Sequence, residues 1–411
     1  MEIACSVNKT TVLVTDGGNR SSLAVTRSLG KAGCRVIVAD KRKQNLSSCS
    51  RYCAVSYQIP SSAEGDANFV KAIREIVIRD NVDIIYPMTE PTILLLSASR
   101  EQLPHATILA CPTIDKIRTV FDKCSVFKLA KEYNVAIPTT VFIENKEDFD
   151  YKKKELPEFP LVVKPAMSRI PIENGFITTS IKYASSIEEL INLYNAEEVL
   201  NYPSMIQKKI VGAGTGLFTL FDNNRHLALF SHERLREKPP SGGVSVVCKS
   251  VPLDNEMVES ARRLLSAVGW RGVAMVEFKR DELDGKAKLM EINGRFWGSL
   301  QLAVSAGIDF PRLLLELLKE GKLSGLKDQY QVGLRMKWIL GTMDHLLIML
   351  RNSGEKLNLP TGYPSKFQTI VDFMKVKESR CGFDVWQSGD LNPFFFEICQ
   401  YLTNVFGIGE N

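Results

Sequence analysis

The sequence predicts an α/β and α+β chain: a doubly wound parallel βαβ domain, then a mixed α+β domain, then a small mixed extension. Three observations carry this. Between residues 11 and 40 a strand, a glycine turn, a helix and a second strand follow one another. Between 140 and 251 short strands succeed each other. From about Gly325 the composition changes again. The expected boundaries are 1–111, 112–325 and 326–411.

Thr11-Val12-Leu13-Val14-Thr15 is a β-rich apolar run that ends at Asp16-Gly17-Gly18-Asn19. A helix with Leu23, Val25 and Leu29 on its apolar face follows and stops at Gly33, and Arg35 to Asp40 is the second strand. The pattern recurs as a helix around Phe69 to Ile78 and a strand from Val82 to Tyr86. Parallel sheets of this kind bind ligands at the carboxyl ends of their strands, where Asp16 to Asn19 and Met88-Thr89-Glu90 fall. For Gly17-Gly18 a plain βα turn and a ligand contact are equally good readings. After Cys111-Pro112-Thr113, Asp115 to Tyr133 reads as one helical stretch, closed by Val135-Ala136-Ile137-Pro138. Strands follow at Thr140–Ile143, Leu161–Lys164, Phe176–Lys182 and Ser204–Ile210, then at Leu217–Phe221, Leu227–Glu233 and Val244–Val251. An amphipathic helix is expected from Gly333 to Arg351.

Composition narrows the function. Of 411 residues, 52 are Lys or Arg and 47 Asp or Glu, a net +5 too small and too dispersed to argue for nucleic acid. No apolar stretch approaches the ~18 residues of a membrane span, and Met1-Glu2-Ile3-Ala4-Cys5 does not read as a signal peptide. Nine cysteines without a Cys-x-x-Cys pair, and only four histidines, give no zinc constellation. Reduced thiols in a cytoplasmic protein are the simplest reading. The dinucleotide fingerprint Gly-x-Gly-x-x-Gly is absent from the first turn, so an NAD(P)-dependent oxidoreductase has little support.

The chemistry is concentrated between Gly272 and Leu300. Gly272 to Lys279 reads as a strand, Asp284-Gly285 as a hairpin turn, and Ala287 to Asn293 as the returning strand. Folding that ladder about residue 284 sets Glu277 opposite Glu291, with Asn293 on the same face. Two facing carboxylates repel and are costly to bury without a partner charge. With an adjacent amide oxygen they suit a hard divalent cation bound to phosphates. A surface hairpin with two solvated acids is the alternative, but Glu291 is embedded in an apolar run. Arg295 reaches the same face and can meet phosphate charge.

Lys164 ends the buried run Phe159-Pro160-Leu161-Val162-Val163, and Lys123 sits early in the helical stretch; either ammonium can partner phosphate. In Ser231-His232-Glu233-Arg234-Leu235-Arg236-Glu237, a period of two puts His232, Arg234 and Arg236 on one face and the acids on the other. Pro239-Pro240-Ser241-Gly242-Gly243 then reads as a loop able to close over a ligand. Three aligned cations call for anions, such as the charge of a phosphoryl transition state.

Lys123 in its helix, Pro160-Leu161-Val162-Val163-Lys164-Pro165, Gln207-Lys208-Lys209-Ile210-Val211-Gly212, Glu277 and Met290-Glu291-Ile292-Asn293-Gly294-Arg295 together resemble the ATP-grasp superfamily. The likeness runs from about residue 10 to 320 and is similar to the carboxylate–amine ligases related to the carbamoyl-phosphate synthetase large subunit. Arg234 to Gly243 looks like a signature of one branch. The resemblance implies a pre-ATP-grasp domain followed by a two-lobed ATP-grasp domain. It implies that Lys123 and Lys164 contact ATP phosphates, that the backbone of Lys208, Lys209 and Ile210 holds adenine, and that Glu277, Glu291 and Asn293 hold Mg²⁺, with Mn²⁺ as a substitute. Arg295 would stand near the γ-phosphate or an acyl phosphate. The chain departs from the family in Pro165 to Asn174, which carries no glycine where a glycine-rich phosphate lid is usual, and in lacking a hinge acid for the ribose.

The expected activity is therefore ATP-dependent ligation of a small-molecule carboxylate to an amine, an amino acid being the expected substrate class, by way of an acyl phosphate. Catalytic roles fall to Arg295, Arg236, Arg234 and His232. No nucleic-acid or membrane partner is expected, and a homodimer is allowed. The rival of another class is a nucleotide-binding regulatory protein without turnover.

Overall fold

The computed structural model describes residues 9–64, 67–173, 175–240, 242–354, 357, 359, 363–374 and 380–406; Met1 to Cys5, Asn174 and Ser241 lie outside them. Strands β1 (Thr11–Thr15), β2 (Arg35–Asp40), β3 (Cys53–Gln58), β4 (Ile84–Tyr86) and β5 (Ile108–Leu109) alternate with helices α1 (Arg20–Lys31), α2 (Ala67–Asp80) and α3 (Glu90–Ala98). The sheet is parallel throughout, in the order β3-β2-β1-β4-β5. Alternation along each strand sorts its side chains into two cores. Val12, Val14, Val36, Val38 and Tyr86 face α1, whereas Leu13, Ile37 and Ile85 face α2. The strand order reverses at β1, so Asp16 to Asn19 emerge at the crevice where such sheets bind ligands.

The helical stretch expected from 115 to 133 is two helices, α4 (Ile114–Phe121) and α5 (Lys123–Glu132). Asp122 breaks it: its φ of −88° and ψ of 103° are extended, and its side chain accepts from the N–H groups of Cys124 and Ser125 as an N-cap. Lys123 is thereby the first residue of α5. Next come β6 (Thr140–Ile143), α6 (Lys146–Lys152), β7 (Leu161–Pro165), β8 (Arg169–Ile172), β9 (Gly175–Thr178), β10 (Lys182–Ala184), α7 (Ile187–Ala196) and β11 (Ser204–Lys208). Four of these form an antiparallel sheet ordered β10-β7-β11-β6. The single strand expected over 176–182 is divided: its first part pairs with β8 as a separate hairpin, its last residue with β7.

The largest sheet is built from β12 (Gly214–Asp222), β13 (Arg225–Lys238), β14 (Val244–Ser250), β15 (Gly272–Arg280) and β16 (Ala287–Asn293), with α8 (Asn255–Val268) packed against it. After α9 (Leu300–Ala306) and α10 (Phe310–Glu320), the helix expected from 333 begins instead as strand β17 (Arg335–Lys337). Met336 is buried there opposite Cys248, so ladder pairing with β14 outcompetes helix. Then α11 (Ile339–Arg351), α12 (Lys366–Met374), β18 (Cys381–Phe383) and α13 (Asn392–Phe406) complete the chain, and the sheet runs β16-β15-β12-β13-β14-β17-β18. The tail is tied to α1 by a buried ion pair, Arg27 Nε to Asp390 Oδ2 at 2.8 Å. No helix among the described residues is long and apolar enough to cross a membrane, and the cysteines among them are unpaired.

Candidate active site

Glu277 and Glu291 are directly opposed on β15 and β16, and Asn293 opposes Met275. The connection is wider than a two-residue turn. It spans 281–286, with Gly285 at φ 70° and its N–H donating to the Asp281 carbonyl at 2.8 Å. The ladder then slips by one residue, pairing Phe278 with Leu289 and leaving Met290 as a bulge, which restores the Glu277–Glu291 register. Asn293 Nδ2 donates to Glu291 Oε1 at 2.8 Å, which leaves the amide oxygen free for a cation. Gly294 is required at this point because a Cβ would collide with the ring of Trp270, itself 2% exposed.

The electrostatics of the two acids differ. Burial pushes Glu277 up to about 7; Arg234 opposes the rise and Glu291 adds to it. Burial works against charge on Glu291 too, but Lys123, the Asn293 amide and Lys164 outweigh it and hold this carboxyl below its usual range. Burial lowers Lys164 to about 8, with Glu291 pulling the other way. Lys123 Nζ donates to Ser168 Oγ at 2.7 Å, and its backbone N–H donates to Ala166 at 2.7 Å, which ties α5 to the exit of β7. Among the described residues no three His, Cys, Asp or Glu side chains gather as a metal cluster. The donor set is two carboxylates and one amide, incomplete for a hard divalent cation unless phosphate or water oxygens join it. That set fits Mg²⁺ carried in with a nucleotide.

The cationic strand does not present three side chains on one face. The β13–β14 ladder shifts register between Arg234 and Arg236 and again before Glu237. Arg234 forms ion pairs with Glu277 and, at 2.9 Å, with Glu237. Glu237, expected on the opposite face, therefore joins Arg234. Arg236 turns toward the tail, where it meets Asp372 at 3.0 Å and the Tyr363 ring at 5.9 Å. His232 is fully buried, its ring tilted 31° against that of Phe218 at 4.5 Å, with Nε2 2.7 Å from Ser299 Oγ. Burial, reinforced by Arg234, depresses it to about 3. A histidine so enclosed does not itself line the cleft; it touches it only through Ser299, which does.

Arg295 Nη2 lies 3.4 Å from Glu90 Oε1, which joins the site to the start of α3. Lys208 pairs with Glu158 at 3.2 Å, Lys209 lies 5.6 Å from the Tyr183 ring, and Ile210 is buried. The N–H groups of Lys208 and Lys209 donate to Thr139 and Pro160. A cleft of about 920 Å³ brings together Arg234, Glu277, Glu291, Asn293 and Arg295. Lys123 reaches it through Ser168; Lys164 and residues 208–210 do not line it. Its far wall, which the sequence did not reveal, comes from the tail: Trp338, Asp344, Glu397 and Tyr401. These are joined by Trp338 Nε1 to Glu397 at 2.8 Å, Tyr401 Oη to Asp344 at 2.5 Å, and a Lys238–Asp344 ion pair. Pairings across more than 50 positions leave no periodic trace in a sequence.

Residues 231–342 match the model of a family described as ATP-grasp in the biosynthetic pathway with Ter operon. Over 234 residues the chain is 23% identical to a D-aspartate ligase of Enterococcus faecium (strain Aus0004), a match covering 54% of this chain and 55% of that enzyme. The chain thus spans about half the length of that relative. Among solved structures, the L-amino acid ligase from Bacillus licheniformis is similar at a TM-score of 0.57 and 17% identity, covering 75% of this chain and 74% of that one. N5-carboxyaminoimidazole synthetase from Staphylococcus aureus, complexed with ADP, superposes at 0.58 with 14% identity, covering 77% and 79%. The biotin carboxylase domain of the Hydrogenobacter thermophilus 2-oxoglutarate carboxylase, complexed with MgADP and bicarbonate, does so at 0.60 with 15% identity, covering 79% and 73%. The ATP-grasp resemblance of the sequence is borne out by the family match over residues 231–342, and the fold is shared with these solved structures.

Proposed function

We propose that this ATP-grasp chain is an ATP-dependent ligase that joins a carboxylate to an amine through an acyl phosphate. The carboxylate oxygen attacks the γ-phosphorus and ADP leaves. The amine nitrogen then attacks the acyl carbon, the C–O bond to phosphate breaks, and amide, phosphate and one proton are released. One observation carries this reading: Glu277, Glu291 and Asn293 form a hard-oxygen donor set in a cleft that also holds Arg234 and Arg295. Mg²⁺ held there would neutralise phosphate charge and orient the γ-phosphoryl group.

The protein's own groups then have separable tasks. Lys123 and Lys164 supply positive charge on the phosphate side of Glu291, as their influence on its carboxyl indicates. Lys208, Lys209 and Ile210 would hold adenine through their backbone; the Ile210 N–H has no partner among the described residues. Arg295 would stabilise the acyl phosphate, and Glu90 fixes its guanidinium in place. No protein nucleophile is needed, because positioning and charge neutralisation dominate phosphoryl transfer. The test is mass spectrometry of products, with ADP release, after incubation with Mg-ATP and pooled amino acids. New amides accompanying ADP support the ligase. Tight ATP binding without turnover on any acid would favour the regulatory alternative.

A further inference from the structure

A second, smaller pocket of about 310 Å³ opens at the carboxyl end of the parallel sheet. It is continuous with the large cleft, since Gly18, Asn19, Thr89, Pro91, Arg169 and Gln400 line both. Lys41 and Arg42 reach it from the β2–β3 loop, and Arg169 from the β8–β9 hairpin. That hairpin rests on the first domain: a Cβ on Gly175 would lie 3.3 Å from the carbonyl oxygens of Ala63 and Glu64.

The charges of this annex are unbalanced. Its two acids are already engaged. Asp40 accepts from the backbone N–H groups of Gly18 and Arg42, both at 2.9 Å. Asp16 accepts from Thr15 Oγ1 at 2.6 Å and Thr92 Oγ1 at 3.1 Å. Lys41, Arg42 and Arg169 have no acid partner among the described residues; Arg169 donates only to the Thr178 hydroxyl. The other basic groups of the main cleft behave differently, because Arg20, Arg234, Lys238 and Arg295 are each paired with an acid. The loop that carries the cations is also held in shape, by Asn45 Nδ2 to the Arg42 carbonyl at 3.0 Å and Ser47 N–H to the Gly17 carbonyl at 2.9 Å. Uncommitted positive charge on an ordered loop is a standing attraction for an anion.

We propose that this annex binds the anionic tail, a second carboxylate or a phosphate, of a substrate whose reacting group lies in the main cleft. The inference rests on the ligase reading for the identity of that reacting group. Two guanidinium groups and an ammonium can partner either anion, and guanidinium forks favour bidentate contact. Asp16 also lines the annex, where burial pushes its carboxyl above the ordinary range against the hydrogen bonds of Thr15 and Thr92. Substrates would then be acidic amino acids or phosphorylated acids rather than neutral ones.

The test is isothermal titration of aspartate, O-phosphoserine and alanine into the whole protein and into the double variant Lys41→Ala/Arg42→Ala. The three probes share a head group and differ only in the tail. Both substituted side chains are exposed, so circular dichroism should match the wild type. A tail-bearing probe should bind the wild type more tightly than alanine does. The double variant should weaken it about 10- to 100-fold, as expected for lost charge-assisted hydrogen bonds, and leave alanine and ATP unchanged. A loss confined to phosphoserine identifies a phosphate tail, and a loss confined to aspartate a carboxylate one. Equal affinity for alanine, no binding of either tail-bearing probe, or unchanged affinity in the double variant overturns the proposal. ADP release measured in parallel separates the two readings: binding that follows the expected pattern without ADP release on any acid refutes the ligase and spares the annex.

Discussion

Arg234 on β13 and Glu277 on β15 form an ion pair across an intervening strand, β12. The residue of β12 that stands between His232 and Glu277 in the two ladders is Gly216. The room a side chain there would need is taken by the Phe218 ring, which would lie 2.6 Å from a Cβ at Gly216, so only glycine fits between the two strands. Arg234 is thus the counter-charge of the acid pair, and burial, which disfavours its own charge, is outweighed by Glu277 and Glu237. An arginine held in place by two acids beside a phosphate site is already oriented when negative charge arrives.

The acid pair gives the first prediction. Glu291→Gln keeps volume and removes the carboxylate that the lysines and Asn293 hold ionised. Mg-dependent ADP release should fall about 10²- to 10³-fold, while the fold is kept and the melting temperature drops, because a carboxyl held below its usual range contributes stability in its charged form. Glu277→Gln should lose less. Wild-type ADP release in Glu291→Gln would remove the metal assignment.

The lysines give the second. Lys164→Ala and Lys123→Ala should each raise the dissociation constant of Mg-ATP by about tenfold or more, since each removes a cation from the phosphate side. Isothermal titration reads this without a known acid substrate. Wild-type affinity in both variants would detach these lysines from nucleotide binding.

How much of this was legible depends on sequence distance. The parallel βαβ unit showed in its alternation and glycine turn. The opposition of Glu277 and Glu291 showed because their strands are joined by a short connection, even though a wider turn and a bulge at Met290 had to compensate each other. The α4–α5 break had a readable signal, Asp122 placed as an N-cap. The face assignment of 232–237 failed because strict period two cannot foresee a register shift at Leu235. The tail's wall of the cleft was invisible, since contacts such as Lys238 with Asp344 join residues 106 positions apart.

The ion pair between Arg27 and Asp390 supplies the third prediction. Both side chains are 3% exposed, and Arg27 also donates to the carbonyls of Asp384, Val385 and Asp390. Asp390 accepts from Ser50 Oγ at 2.7 Å and the Arg51 N–H at 2.9 Å. Arg27→Met leaves a buried carboxylate without its charge partner, a loss of about 3–5 kcal/mol. Denaturant unfolding should show the destabilisation, and limited proteolysis should cut the tail near residue 390 before the rest of the chain. Wild-type stability and an intact tail would show that the pair is not what fastens it.

His232 gives the fourth. Its folded pKa of about 3 lies below the ordinary value of 6.5, so the folded state binds fewer protons than the unfolded chain between the two. The stability from burying it neutral is present above pH 6.5 and is lost as pH falls, by about 1.4 kcal/mol per unit. The melting temperature should drop from pH 7 to pH 5.5, before most carboxylates titrate. His232→Gln should show a shallower drop, whatever its stability at pH 7. An equal slope in the variant would assign the acid sensitivity to other groups, His226 and His345 first, since burial lowers both.

Arg234 and Arg236, two positions apart, should behave as opposites. Arg234 faces the acid pair, and truncating it strands Glu277 without its cation while removing a donor aimed at the phosphate site. Arg234→Ala should cut Mg-ATP-dependent ADP release about 10²- to 10³-fold. Its effect on ATP affinity should be small, because Lys123 and Lys164 remain. Arg234→Lys should recover only part of the rate, since an ammonium cannot serve Glu277 and Glu237 together with the fork geometry of a guanidinium. Arg236 points the other way, to Asp372 and Tyr363. Arg236→Ala should keep turnover within a few-fold of wild type and lower stability by about 1 kcal/mol or less, as for other partly exposed ion pairs. Equal and large losses of turnover in both alanine variants would mean that the two arginines converge on one ligand during the reaction and that the face separation seen here is not the catalytic one.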